Sequence, residues 1–131
     1  MPRRAKARTA APQPSELQIH IAVAQHLKYR ARKGIVWWHT PSEGKRTKTE
    51  AAKQKALGLV AGIPDLVLIA NGKTYGLELK TSKGRISPEQ KSMLSQFEAA
   101  GAYVAVAYGL DAAISILTSW GLIGQPMAKA A

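Results

Sequence analysis

The sequence contains no cysteine, and only 8 of its 131 residues are acidic. The absence of cysteine excludes disulfides, thiolate zinc sites and cysteine nucleophiles, and it fits a reducing, intracellular compartment. No apolar run approaches the roughly 18 residues of a membrane span, and the Arg-rich start is not followed by the apolar region of a signal peptide. We therefore expect a cytoplasmic protein with no membrane partner.

Several enzyme motifs are also missing. The sequence has no Gly-rich phosphate loop followed by Lys-Ser/Thr, no His-Glu-x-x-His and no Gly-x-Ser-x-Gly. These patterns carry phosphate binding, zinc-dependent proteolysis and serine nucleophiles. Their absence argues against an ATPase, a zinc protease or a serine hydrolase, and we expect no nucleotide cofactor.

Basic residues are abundant and unevenly placed. Lys and Arg outnumber Asp and Glu by 19 to 8, which gives a net charge of +11 and a pI near 10.2. Residues 1–64 contain 13 of the basic residues and only three of the acids. A polyanion is therefore the first partner to consider, although many small basic proteins bind no specific nucleic acid.

Length and hydrophobic content predict one folded domain over residues 15–123, between a basic, Pro-containing disordered arm (1–14) and a short tail (124–131). Capping boxes open helices at Ser15, Thr47 and Ser87, and apolar periodicity supplies the remaining elements. For the first helix, the expected buried stripe consists of Leu17, Ile21, Ala24 and Leu27. We predict helices over 16–33, 48–57, 88–100 and 111–120. We also predict strands over 35–39 and 102–108 and a β-hairpin over 65–80. The strand over 102–108 is expected to be central in its sheet.

The hairpin brings two acids together. Asn71-Gly72 is the dipeptide best suited to a two-residue type I′ turn, so cross-strand partners have residue numbers that sum to 143. Asp65 is then opposite Glu78. Like charges directly opposed on a sheet are destabilising, so this arrangement calls for a compensating cation.

Period-two alternation adds Lys80 to the face of Glu78 and places an apolar layer on the other face, made of Tyr75, Leu77 and Leu79. Magnesium prefers one or two carboxylates together with waters and phosphate oxygens. As a hypothesis, Asp65, Glu78 and the Leu79 carbonyl hold a metal for phosphodiester hydrolysis, and Lys80 orients or deprotonates the attacking water. The alternative is that Glu78 and Lys80 form the solvated face of an edge strand.

Three segments together resemble the VRR-NUC family, a branch of the PD-(D/E)XK nuclease superfamily. They are Gly62-Ile63-Pro64-Asp65, Gly76-Leu77-Glu78-Leu79-Lys80 and Gly84-Arg85-Ile86-Ser87-Pro88-Glu89-Gln90. Their order and separations fit the family over about residues 15–123. The loop Thr40-Pro41-Ser42-Glu43-Gly44 departs from it, since members often carry Asn-Gly after the proline, and this puts substrate contacts there in doubt.

The resemblance implies an α/β fold with a restriction-endonuclease-like core, in which a central mixed β-sheet with an antiparallel hairpin is flanked by α-helices. It also implies DNA cleavage with Mg²⁺ or Mn²⁺, and it adds Glu16 to the metal shell and Gln90 to the catalytic residues. From the residues alone, both side chains are interpreted as helix caps or as first-turn acids favoured by the helix dipole.

The resemblance implies branched or double-stranded DNA as the partner. Stand-alone small members are thought to act as homodimers on four-way junctions, and larger proteins use the domain on flaps.

The runner-up function is a non-catalytic nucleic-acid-binding module, and a third possibility is a protein-interaction domain with an incidental basic tail. The apolar C-terminal segment with Leu110, Trp120 and Ile123 is either a dimer interface or part of the core. The candidate DNA-binding residues are Lys45, Arg46, Lys48, Lys53, Lys55, Lys83 and Arg85. The alternative is that these charges only form a solvated helix face.

The sequence leaves open the roles of two adjacent tryptophans and two histidines. Trp37 and Trp38 are adjacent on a strand, so one is expected to be buried and the other to face a helix or a partner. His39 ends that strand, where it either approaches the metal or phosphate or has a structural role. His20 lies one helical turn after Glu16, but no zinc-type spacing accompanies it.

Overall fold

A computed structural model of the chain describes residues 12–41 and 47–124. Four helices and four strands follow one another in the predicted order, and no helix within these ranges is long and apolar enough to cross a membrane. Residues 1–11 of the predicted arm, residues 42–46 and residues 125–131 of the tail lie outside the described ranges. The elements are α1 (Glu16–Arg30), β1 (Val36–His39), α2 (Lys48–Ala56), β2 (Leu66–Ala70), β3 (Lys73–Lys80), α3 (Pro88–Ala99), β4 (Tyr103–Tyr108) and α4 (Leu110–Ser119).

The β2–β3 hairpin has the predicted register, with Leu66 opposite Leu77 and Ala70 opposite Lys73. Both residues of its turn have positive φ, 51° at Asn71 and 76° at Gly72, as a type I′ turn requires. The full strand order is β1-β2-β3-β4, in which only β3 and β4 run parallel. The sheet is therefore mixed, and β3 is an inner strand.

The predicted central position of β4 is wrong, because in the described sheet β4 is the last strand. Its apolar sequence is explained by helices rather than by strands, since both α3 and α4 pack against it. When helices cover both faces of a strand, its sequence is an apolar run even if one of its edges has no strand partner.

The main core lies between the sheet and helices α1 and α4. Leu77 and Leu79 pack there with the α1 stripe of Ile19, Val23 and Leu27. Their i, i+4, i+8 spacing forms one helix face. The predicted stripe of α1 is wrong except at Leu27, because Leu17 and Ile21 are 68% and 51% exposed and Ala24 is only half-buried.

Helix α3 covers the opposite face, where close packing explains a glycine. A Cβ at Gly76 would lie 2.9 Å from Cγ of Pro64 and 3.2 Å from Cδ2 of Phe97. Contacts this short between heavy atoms require repacking. Gly76 therefore allows the Pro64 loop and α3 to approach β3 beside Glu78.

The C-terminal segment closes the core. Leu122 and Ile123 are buried, and Ile123 forms an antiparallel bridge with Ala31. This pairing also explains why α1 ends at Arg30 rather than near the predicted Lys33. The buried residue Ile123 is part of the core and does not present an interface.

Of the two tryptophans, Trp37 packs half-buried against the core, whereas Trp38 is 45% exposed.

Candidate active site

Asp65 lies immediately before β2, beside the C-terminal end of β3. Its Oδ2 accepts a 2.7 Å hydrogen bond from the Leu79 N–H. Its backbone carbonyl accepts the Thr40 N–H at 2.8 Å, and the Thr40 hydroxyl donates to the Pro64 carbonyl at 2.8 Å. The carboxylate thus takes the place of a strand partner at Leu79, and the residue after β1 fixes its backbone.

Glu78 is fully buried, with 0% exposure. Burial raises its pKa from the ordinary 4.5 to about 9, the neighbouring carboxylates of Asp65 and Glu16 add to the increase, and the charge of Lys80 opposes it. Oε2 of Glu78 has no hydrogen-bond partner among the described residues. Since Glu78 lies on an inner strand and is buried, the solvated edge-strand interpretation of this residue is wrong.

Gln90 links α3 to Glu78 through a single side chain. Its Oε1 accepts the Ser87 N–H at 2.8 Å and completes the predicted capping box, while its Nε2 donates to Oε1 of Glu78 at 3.1 Å. Capping and contact with the acid therefore coexist. The preceding loop approaches this turn at Gly62, whose φ is +83° and where a Cβ would lie 2.5 Å from the Glu89 carbonyl oxygen.

Lys80 ends β3 and is half-buried. Its aliphatic part lies against Gly84, where a Cβ would be 3.2 Å from Cβ of Lys80. No ion pair joins Lys80 to another residue within the described ranges, and its charge acts on Glu78 by lowering that pKa.

Glu16 and two histidines complete the site. Glu16 is the first residue of α1, and the cap of that helix is formed by Ser15 and Gln18 instead. Nε2 of His20 lies 3.6 Å from Oε1 of Glu16 and 3.7 Å from Oδ2 of Asp65.

The other ring nitrogen of His20, Nδ1, is 2.6 Å from Nε2 of His39. Burial and then the neighbouring His20 lower the pKa of His39, and Asp65 opposes this. His20, His39 and Asp65 each offer a ligand atom within 4.8 Å of the others. The sequence indicated separately that His39 could approach a metal and that His20 follows Glu16 by one helical turn, but it did not predict that the two histidines meet at Asp65.

A cleft of about 810 Å³ opens beside Glu16, Asp65 and Gln90, whereas Glu78 and Lys80 are not among its lining residues. Its lining comes from four segments: the start of α1, the end of β1 and the residues after it, the loop before β2 and the start of α3. Lys45 and Arg46 lie outside the described residues. The other basic candidates are all exposed, on α2 or in the loop between β3 and α3: Lys48, Lys53, Lys55, Lys83 and Arg85.

Known proteins share this architecture. The VRR-NUC domain family matches residues 13–111. A solved VRR-NUC domain protein is 27% identical, with a TM-score of 0.67 over 82% of this chain and 88% of that one. A second solved VRR-NUC domain, 17% identical, has a TM-score of 0.54 over 80% and 96% and shows the fold alone. No curated protein matches the chain.

The mixed sheet, its flanking helices and the family match define an α/β domain of the nuclease type. The chain belongs to the VRR-NUC domain family. The resemblance drawn from the three sequence segments is thereby confirmed, together with the α/β fold class.

Proposed function

We propose that the chain is a metal-dependent endodeoxyribonuclease that hydrolyses phosphodiester bonds in double-stranded or branched DNA, such as four-way junctions and flaps. One observation carries the proposal. Glu78 is fully buried beside Asp65, with one oxygen bound by Gln90 and the other unpartnered among the described residues. With both acids ionised, such a buried pair is costly unless a cation joins it.

The donor set fits Mg²⁺ or Mn²⁺, which bind carboxylate and carbonyl oxygens. Asp65, Glu78, Glu16 and the Leu79 carbonyl would hold the ion. When bound, it would polarise the scissile phosphate and lower the pKa of a water molecule. In the metal-free protein the raised pKa of Glu78 keeps this acid protonated near neutral pH, so the carboxyl must lose its proton to become a ligand.

The remaining side chains position the reacting groups. Gln90 fixes the rotamer of Glu78, because it is itself anchored in the first turn of α3. The Leu79 N–H fixes the carboxylate of Asp65. Lys80 would orient the attacking water and offset the negative charge that develops on the phosphate.

DNA binding would rest on exposed basic residues in two segments of the chain. Lys48, Lys53 and Lys55 lie on α2, a helix with no buried residue, and Lys83 and Arg85 precede α3. Such side chains neutralise backbone phosphates without reading sequence. A homodimer would supply two sites for two strands, which is the symmetry that a four-way junction offers.

The test is cleavage of matched linear, flap and four-way-junction DNA with Mg²⁺, Mn²⁺ or a chelator. Asp65→Asn is compared with Asp111→Asn, which alters an exposed acid at the start of α4. We expect metal-dependent cutting by wild type and Asp111→Asn only, with branched DNA preferred. DNA binding without cutting under every metal would instead favour a non-catalytic binding module.

A further inference from the structure

One ring nitrogen of His20 is buried beside two carboxylates. Nε2 forms no hydrogen bond with any residue in the described ranges, although the His20 side chain is only 14% exposed. It faces Oε1 of Glu16 at 3.6 Å and Oδ2 of Asp65 at 3.7 Å. These separations are too long for hydrogen bonds, so two carboxylate oxygens and a nitrogen converge without satisfying one another.

The other nitrogen of the same ring is engaged. Nδ1 lies 2.6 Å from Nε2 of His39, and a proton must lie between these two nitrogens. When Nδ1 of His20 donates it, Nε2 of His20 carries a lone pair that points towards the two carboxylates. Metal-bound histidines typically show this arrangement, since their second N–H is held by an acceptor that fixes the tautomer and the ring orientation.

We propose that His20 is a nitrogen ligand of a metal site shared with Glu16 and Asp65, that His39 positions its ring, and that the site selects Mn²⁺, Co²⁺ or Zn²⁺ over Mg²⁺. Imidazole suits transition ions, whereas Mg²⁺ takes oxygen ligands. The inference deepens the proposed function and rests on its assignment of Asp65 to a metal.

The separations from Nε2 of His20 to the two carboxylate oxygens support the fit. Metal–nitrogen and metal–oxygen bonds of about 2.0–2.1 Å in a tetrahedral shell place neighbouring ligand atoms about 3.3 Å apart. The observed 3.6 Å and 3.7 Å exceed this by only a few tenths of an ångström. Rotation about the χ angles of Glu16, whose side chain is 52% exposed, supplies such a shift at the Glu16 contact.

The competing explanation is a structural one, in which a protonated His20 bridges the two carboxylates and no metal binds to it. The two explanations differ in what removal of His20 does to metal binding. Loss of a metal ligand weakens the binding of transition ions, whereas loss of an imidazolium leaves it unchanged or strengthens it by removing a competing positive charge.

The 131-residue chain is titrated without DNA with Co²⁺ alone, and the visible absorption of the ion is followed. Mg²⁺ binding is measured by calorimetry. The variants are His20→Gln, His39→Gln and, as matched control, His26→Gln. His26 lies on the same helix but contacts Arg30, 2.9 Å away. We expect His20→Gln and His39→Gln each to weaken Co²⁺ binding about tenfold or more, with Mg²⁺ affinity nearly unchanged and the control like wild type.

Co²⁺ binding by His20→Gln equal to that of wild type would overturn the inference, as would equal losses in all three variants. If His20→Gln does not fold, the His39→Gln titration decides, because His39 holds the His20 ring: Co²⁺ binding by His39→Gln equal to that of wild type and His26→Gln would overturn the inference. DNA cleavage is measured in a separate assay. If Co²⁺ binding depends on His20 but DNA is not cut, only the proposed nuclease function is rejected. If DNA is cut but Co²⁺ binding does not depend on His20, only this inference is rejected.

Discussion

Replacing Glu78 by Gln should remove a pH dependence from the stability of the metal-free protein. Burial, aided by Asp65, raises the pKa of Glu78 from 4.5 to about 9 in the folded state. A raised carboxyl pKa means that the folded state keeps a proton that the unfolded state has lost. Its contribution is therefore fully present below pH 4.5 and is lost progressively as the pH rises to about 9.

The size of the effect follows from the interval between the two pKa values. Each tenfold change in proton affinity is worth about 1.36 kcal/mol, so an interval from 4.5 to about 9 sets an upper limit of about 6 kcal/mol. An upward shift of the unfolded-state pKa, or movement of water towards Glu78, reduces this figure. Even a third of it is a large fraction of the stability of a small domain.

The assay is urea unfolding in the presence of a chelator, from pH 5 to pH 9. Wild type should lose stability as the pH rises, Glu78→Gln should give a flatter profile, and Glu98→Gln, at an exposed position on α3, should follow wild type. Parallel pH profiles for wild type and Glu78→Gln would refute the account of a buried, protonated acid.

Four other variants test the packing, the capping and the charge around the site. Gly76→Ala should cost about 1–3 kcal/mol in urea unfolding, because a methyl group there is too close to two side chains, and an unchanged stability would contradict that packing. Ser87→Ala and Thr47→Ala should each cost about 1 kcal/mol as lost caps, yet only Ser87→Ala should slow cleavage, so equal cleavage rates would reject the link between this cap and the site. The double replacement of Lys53 and Lys55 by Ala should reduce the salt slope of DNA binding by about 2, and an unchanged slope would remove these residues from the DNA-binding surface.

The hairpin could be predicted because its determinants are local. Asn71-Gly72 fixes the turn, and period-two alternation fixes which residues share a face, so the juxtaposition of Asp65 and Glu78 followed from a few adjacent residues. The capping box of α3 was equally local. Its second role was not, because the contact of Gln90 with Glu78 depends on how α3 packs against the sheet.

The rest of the site depends on pairing and packing between segments that are distant in the sequence. Nothing in the sequence states that β1 lies beside β2, yet that pairing brings His39 opposite Leu66 and therefore next to Asp65. On α1 two apolar stripes overlap, and only packing against the sheet decides that Ile19 and Val23 are buried while Leu17 is exposed. The burial of Glu78 likewise required the cover that α3 supplies.

The central claim is that the residues gathered at Glu78 perform hydrolysis, and replacement of Lys80 tests it most directly. Binding and cleavage of one four-way junction are measured in parallel for wild type, Lys80→Ala and Lys91→Ala, an exposed lysine on α3. The account predicts that Lys80→Ala binds the junction nearly as well as wild type but cleaves it about 100-fold more slowly or worse, whereas Lys91→Ala cleaves normally. Cleavage by Lys80→Ala at the wild-type rate would contradict it.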